Sequence, residues 1–266
     1  MKILVTNDDG IYTRGLWTLA AELQRVAEVV VIAPDREQSA TGAAITLHQP
    51  LRCTEVKPQV PGVKAYSVEG TPSDSVILAL GMMEEVGIVF SGINEGANVG
   101  SDVLLSGTVG AALQGYFHGL PSIALSAAVG EDMHFEVAAK MASLLASRII
   151  NGFPSTGLLL NINVPNLPLE EIKGVEITEL ANGNYDDHIE EGHDGKRNYY
   201  WIVRGKPRWN VSKGTDIWAV EEGKVSITPL RGELSIAREA SFVEGLHLLL
   251  RQELLQEYRN GVAGHR

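Results

Sequence analysis

The chain predicts an α/β fold built on a mostly parallel sheet, and three observations lead there. Short apolar runs alternate with amphipathic segments through the first half, the pattern of βα units. The first run, residues 2–6, ends at Asn7-Asp8-Asp9-Gly10, a polar cluster where a buried parallel strand opens onto the crevice that such sheets use for ligands. The 266 residues have ordinary globular composition and are enough for one large α/β domain or two modest ones.

Taken in order, strands are predicted over residues 2–6, 28–33, 87–91 and 122–126. Between Thr13 and Val26, Leu16, Leu19, Ala20 and Leu23 recur at helical spacing. Thr71-Pro72-Ser73-Asp74 starts a helix that runs to about Glu84: Thr71 caps, Pro72 takes the first helical position and Asp74 faces the positive end of the dipole. Ser106-Gly107-Thr108-Val109-Gly110-Ala111-Ala112 reads as a turn entering a small-residue helix to about His118. Ala138, Met141, Ala142, Leu145 and Ile149 mark the next helix, and Leu158–Asn163 a further strand before the Pro165-Asn166-Leu167-Pro168 break.

The second half changes character. Residues 174–231 are rich in β-formers and turn residues, notably Tyr199–Val203 and Lys224–Thr228. Residues 182–198 are polar with few core side chains and read as a mobile surface loop. A helix from Ala237 to about Tyr258 closes the chain, and no repeat, low-complexity tract or domain linker interrupts it.

Thirty-three acids against 22 bases give a formal charge of −11, which argues against a nucleic-acid partner, since such binding is driven by Lys and Arg on phosphates. A small anionic substrate stays open, because a metal ion and helix N-termini supply local positive potential. Cys53 is the single cysteine, so neither a disulfide framework nor a thiolate zinc site can be built within one chain. The first apolar stretch is broken too early for a signal peptide and no later run reaches membrane-spanning length, so a cytoplasmic protein is expected.

Two more polar clusters follow strands: Pro34-Asp35-Arg36-Glu37-Gln38-Ser39 after the second, and Ser91-Gly92-Ile93-Asn94-Glu95-Gly96-Ala97-Asn98-Val99-Gly100 after the third. If the strands are parallel, all three clusters share one edge of the sheet and one site. Each also has a local reading: Asp-Asp-Gly as a turn, the glycines as a loop of unusual backbone angles, Ser39 and Ser106 as helix caps. The glycine segment is G-x-x-x-G-x-x-x-G rather than a dinucleotide fingerprint, and no Walker lysine motif occurs. At the start of the small-residue helix, the Ser106 and Thr108 hydroxyls and free backbone N–H groups would form an anion cradle.

In series, Asn7–Gly10, Ala33–Arg36 with Ser39, Gly70–Asp74, Ser91–Asn94 with Asn98, Ser106–Val109, Asn161–Pro165 and Gly214-Thr215-Asp216 resemble the survival protein E (SurE) nucleotidase family, over nearly the whole chain. The resemblance implies a divalent-metal-dependent phosphatase that hydrolyses nucleoside monophosphates, a 5′-nucleotidase, with 3′-nucleotides and short polyphosphate as further substrates. It assigns Asp8, Asp9, Ser39 and Asn94 to one metal ion per subunit, and Asn98, Ser106, Gly107 and Thr108 to the phosphate. An all-oxygen donor set suits Mg²⁺ or Mn²⁺ over zinc. Asp8, Asp9 and Asn94 are then the catalytic residues, with Asp8 open as ligand only, base or nucleophile. The rival functions are a metal-dependent glycosyltransferase and a non-catalytic nucleotide sensor.

The implied fold is a Rossmann-like three-layer sandwich over residues 1–180, followed by a β-rich arm and C-terminal helix over 181–266 that serve oligomerisation. Tyr199, Tyr200, Trp201, Trp209 and Trp218 concentrate aromatic surface there. The family likeness turns this into a hairpin arm over about 181–213, an exchanged helix over about 237–258, and a homodimer or homotetramer.

Overall fold

Strands whose residues are apolar on both faces must be covered twice, and this chain covers them with helices. The computed structural model describes residues 1–233, of which Met1–Gly232 form one compact unit. In order they give β1 (Lys2–Thr6), α1 (Arg14–Leu23), β2 (Glu28–Pro34), β3 (Cys53–Glu55), β4 (Lys64–Val68), α2 (Pro72–Met82), β5 (Val86–Glu95), α3 (Gly107–Phe117), β6 (Ser122–Ala127), α4 (Glu136–Ile150) and β7 (Leu159–Val164). Then follow β8 (Val175–Ile177), β9 (Gly183–Tyr185), β10 (His188–His193), β11 (Asn198–Val203), β12 (Pro207–Trp209), α5 (Asp216–Glu221) and β13 (Val225–Pro229).

Nine strands form one sheet in the order β3-β4-β2-β1-β5-β6-β7-β13-β8. From β4 to β7 all neighbours are parallel, while β3 and β13 run antiparallel to β4 and β7. Alternate residues divide between the faces. Ile3, Val5, Val29 and Val31 pack with α1 and α4 residues such as Leu16, Leu19 and Ala142. Leu4, Val30 and Ile32 pack with Val76 and Ala79 of α2 and Ala111 of α3. The expected α/β sandwich of three layers is therefore present. Its sheet also takes in β13, from beyond residue 180.

One crossover is of the rare hand. The β5–α3–β6 and β6–α4–β7 units step the same way along the sheet, but Ala124 of β6 packs with Val109 and Ala112 of α3, whereas Ile123 and Leu125 pack with the α4 face. Helices on opposite faces with the same step require opposite hands, and α4 is the one that disagrees with the other three crossovers. Its reward is burial: α4 lies beside α1 and covers the apolar face of β5 and β6.

The four helices predicted within residues 13–150 and the five principal strands are found within a few residues of their expected positions. Thr71 accepts from the Asp74 N–H while Asp74 accepts from the Thr71 N–H, a full capping box. The short strands β3 and β4 and the helix α5 have no counterpart in the sequence reading. In β4, Lys64, Tyr66 and Ser67 mask the pattern, and pairing with β2 decides the conformation. The mobile loop expected over 182–198 is overturned: β10 pairs antiparallel with β11 and β9 with β12. Ladder hydrogen bonds belong to the main chain, so polar side chains concealed these strands. The arm implied over about 181–213 falls on β9–β12, outside the nine-stranded sheet, with Tyr199, Tyr200, Trp201 and Ile202 exposed. The helix predicted over 237–258 lies outside the described residues. Among those described, no helix is long and apolar enough to cross a membrane.

Candidate active site

Strand order reverses at β1, which has β2 on one side and β5 on the other. The loops leaving the carboxyl ends of two strands that diverge in this way frame a crevice, and the three polar clusters of the sequence all emerge there. A cavity of about 530 Å³ results, lined among others by Asp8, Asp9, Ser39, Asn94, Asn98 and Ser106. Six of the eight expected site residues thus share one wall system. Gly107 and Thr108 stand behind it, against Asp8.

Each loop is held by backbone-directed polar contacts. Asn7, fully buried, receives the Gly10 N–H on Oδ1 (3.2 Å) and donates from Nδ2 to Gly10 O (3.1 Å) and Thr13 Oγ1 (2.8 Å), fixing the turn that presents Asp8 and Asp9. The second loop is pinned to the first by Gln38 N–H to Asp8 O, 2.7 Å. Farther along, Asp74 accepts from Thr46 N (2.8 Å) and Thr46 Oγ1 (2.7 Å), so the Gly70–Asp74 segment anchors the loop that carries Ser39. That loop crosses α3 so closely that a Cβ on Gly110 would lie 2.1 Å from Gly42 O.

Asp8 is 4% exposed. Burial pushes its carboxyl above the usual carboxylate range, against the hydrogen bond donated by the Thr108 hydroxyl. Asp9 is raised to about 7, by burial first and then by the Asp8 charge, with the Glu95 N–H pulling the other way. Two neighbouring carboxylates, one buried and one partly buried, resist ionisation, and a cation beside them would favour their charged forms. The donor chemistry fits a hard divalent ion. Asn94 donates from Nδ2 to Gly96 O (2.7 Å), leaving Oδ1 for the cavity, and Ser39 adds a hydroxyl that also donates to Glu37 (2.7 Å). Among the described residues none that lines the cavity is a histidine or cysteine, and no group of three His, Cys, Asp or Glu is placed to hold a metal ion.

Ser106 caps α3 by accepting the Val109 N–H (3.2 Å), so the Gly107 and Thr108 N–H groups ahead of it have no partner within the helix. A Cβ on Gly107 would meet Asp8 Cβ at 2.8 Å and Gln38 O at 3.1 Å; only glycine lets the helix start close on the carboxylate. The Thr108 hydroxyl hydrogen, expected at the phosphate, is spent on Asp8.

Sequence reasoning gave no role to the layer behind Asn98. Its N–H donates to Asn163 Oδ1 (2.8 Å), its Nδ2 to Ser126 Oγ (2.9 Å), and its carbonyl accepts from Asn161 (2.8 Å) and Asn163 (3.0 Å). The available signal was two amides at i and i+2 inside the apolar strand β7, both fully buried. Asp216, also buried, accepts from Gly100 N (2.8 Å) and Ala181 N (2.9 Å) and so ties α5 to the third loop. Asp102 and Arg204 complete the cavity wall without a sequence motif to announce them.

Comparison with known proteins agrees with this arrangement. A family model described as Survival protein SurE matches residues 3–187. The 5′-nucleotidase SurE of Dehalococcoides mccartyi (strain CBDB1) is 50% identical over 238 residues, covering 88% of this chain and 90% of that protein. Its counterpart from Moorella thermoacetica is 47% identical, covering 88% and 92%. The crystal structure of the SurE protein from Aquifex aeolicus superposes with a TM-score of 0.77 at 35% identity, over 93% of this chain and 100% of that one. With the family model spanning well over half its length and relatives near half identical across nine-tenths of theirs, the chain belongs to the SurE family.

Proposed function

We infer that this chain is a divalent-metal-dependent phosphatase that hydrolyses nucleoside monophosphates to nucleoside and phosphate, a 5′-nucleotidase like the relatives it resembles. One observation carries the reading beyond family membership: the Thr108 hydroxyl bonds to Asp8, so the acid that would hold a cation and the helix start that would hold an anion are one rigid unit. A phosphomonoester needs both.

In this reading Asp8, Asp9, Ser39 and Asn94 hold one Mg²⁺ or Mn²⁺ ion. When bound, the ion neutralises phosphoryl oxygens and acidifies water. The Gly107 and Thr108 N–H groups receive equatorial phosphoryl charge at the positive end of α3, with Ser106 and Asn98 as side-chain partners. The Asn161–Asn163–Ser126 layer keeps Asn98 from turning away by holding its N–H, its carbonyl and its Nδ2. A homodimer or homotetramer joined through the arm and a cytoplasmic location complete the proposal.

The test is phosphate release across a panel of 5′- and 3′-nucleoside monophosphates and short polyphosphate, after chelation and then with Mg²⁺, Mn²⁺, Co²⁺ or Zn²⁺ restored. Metal-restored release is expected. Inert phosphomonoesters with consumption of a nucleotide sugar would favour a glycosyltransferase, and tight binding without release a sensor; either refutes the reading.

A further inference from the structure

Among the described residues the cavity is lined by five carboxylates, Asp8, Asp9, Glu37, Glu95 and Asp102, and by one cationic side chain, Arg204. A dianionic phosphomonoester approaching such a wall meets strong repulsion, and one divalent ion offsets only two of those charges. Arg204 comes from the connection between β11 and β12, at the base of the arm. Its guanidinium has two contacts within the wall of the cavity. Nη2 donates to Asp102 Oδ1 at 2.8 Å, and Cζ lies 3.7 Å from the centroid of the Tyr185 ring. Tyr185 in turn donates its hydroxyl to Asp102 Oδ2 and packs edge-on against Trp209 at 5.4 Å. Burial and the Asp102 charge push Tyr185 up to about 12, so it remains a donor.

Asp102 belongs to the turn that leads into α3, where its carbonyl accepts the Ser106 N–H at 2.9 Å. Arg204 is thereby fastened beside the anion cradle. It uses one of its five N–H donors on Asp102, in a single-nitrogen contact rather than the bidentate fork that a purely structural Arg–carboxylate pair favours. Its side chain is 42% exposed against 17% for Asp102. The remaining donors have no hydrogen-bond partner among the described residues. Arg204 itself lines the cavity.

We propose that Arg204 is the cationic substrate-binding residue of this site, taking the phosphate-bearing end of the nucleotide, so that the base of the arm completes the cavity. This rests on the phosphatase reading above.

The experiment compares wild type, Arg204→Met, Arg204→Lys and Asp102→Asn, all metal-loaded, by KM and kcat for a nucleoside monophosphate and for p-nitrophenyl phosphate, and by Ki for inorganic phosphate. Arg204→Met should raise both KM values and the Ki about tenfold, the scale of one charge-assisted hydrogen bond partly open to water, with kcat within about threefold. Arg204→Lys should recover part of the loss. Asp102→Asn removes a repelling charge and keeps Arg204, so Ki should fall; a merely structural pair would move both variants in the same direction. Unmoved KM and Ki in Arg204→Met, a fall in kcat alone, or a KM rise confined to the nucleotide each overturn the assignment. A wild type inert toward both substrates overturns the phosphatase reading instead.

Discussion

Replacing Thr108 by Val keeps shape and removes one hydroxyl. That hydroxyl is fully buried and donates to Asp8, itself 4% exposed, so water cannot substitute for it. A hydrogen bond to a charged group contributes about 1.5–3 kcal/mol, and its loss here falls on the ionised form of Asp8. The cation must then bind a carboxylate that resists charging more than before, so metal affinity should drop by about tenfold to a hundredfold. The assay is activity of chelator-stripped protein titrated with Mn²⁺. The half-activating concentration should rise by that factor while kcat at saturating metal returns to within a few-fold of wild type, and Thr108→Ser should behave nearly as wild type. If half-activation is unchanged and kcat falls a hundredfold, the hydroxyl serves the phosphate, as the sequence alone suggested, and the Asp8 argument fails.

Asp9→Asn should lose most turnover while staying folded, and should also alter the pH dependence of the metal-free protein. Folded Asp9 keeps its proton up to about 7 against an ordinary value of 3.8, so its stability contribution is full below about pH 4 and lost as pH rises through 7. Melting curves of metal-free wild type relative to Asp9→Asn should show that decline; parallel curves, or near-normal activity after metal reconstitution, refute the assignment. Asp216→Ala strands the Gly100 and Ala181 N–H groups in a buried site and should cost about 2–5 kcal/mol in denaturant unfolding, with a loss under 1 kcal/mol counting against the anchoring role. Deleting residues 237–266 should give dissociated, poorly active protein, and a fully active monomer by light scattering defeats the proposed assembly.

What could be read in the sequence was local or periodic. Short continuous apolar runs located β1, β2, β5 and β6, and period-3.6 apolar spacing the main helices, because strands covered on both faces are apolar throughout and helices covered on one side are apolar along one stripe. The capping box at Thr71 and Asp74 was legible because a helix N-terminus is satisfied within four residues. The parallel βα reading also predicted that Asp8, Ser39 and Asn94 meet at one edge, since strands that run the same way must end on the same side.

Long-range pairing was not legible. The polar strands β9–β12 are ordered by main-chain bonds that leave no mark on side-chain pattern, and α4 chose the unexpected face of the sheet because α1 was there to pack against. Sequence placed the Thr108 hydroxyl in the anion cradle from its position at a helix start, while its bond to Asp8, 100 positions away in the chain, left no local mark. Arg204 and Asp102, 102 positions apart, became partners only when the base of the arm met the turn before α3. Sequence determined which groups stand at the ends of the strands, because local chemistry sets strand and turn. Tertiary structure decided which of those groups share a proton or a charge, because that depends on distances the chain order does not encode.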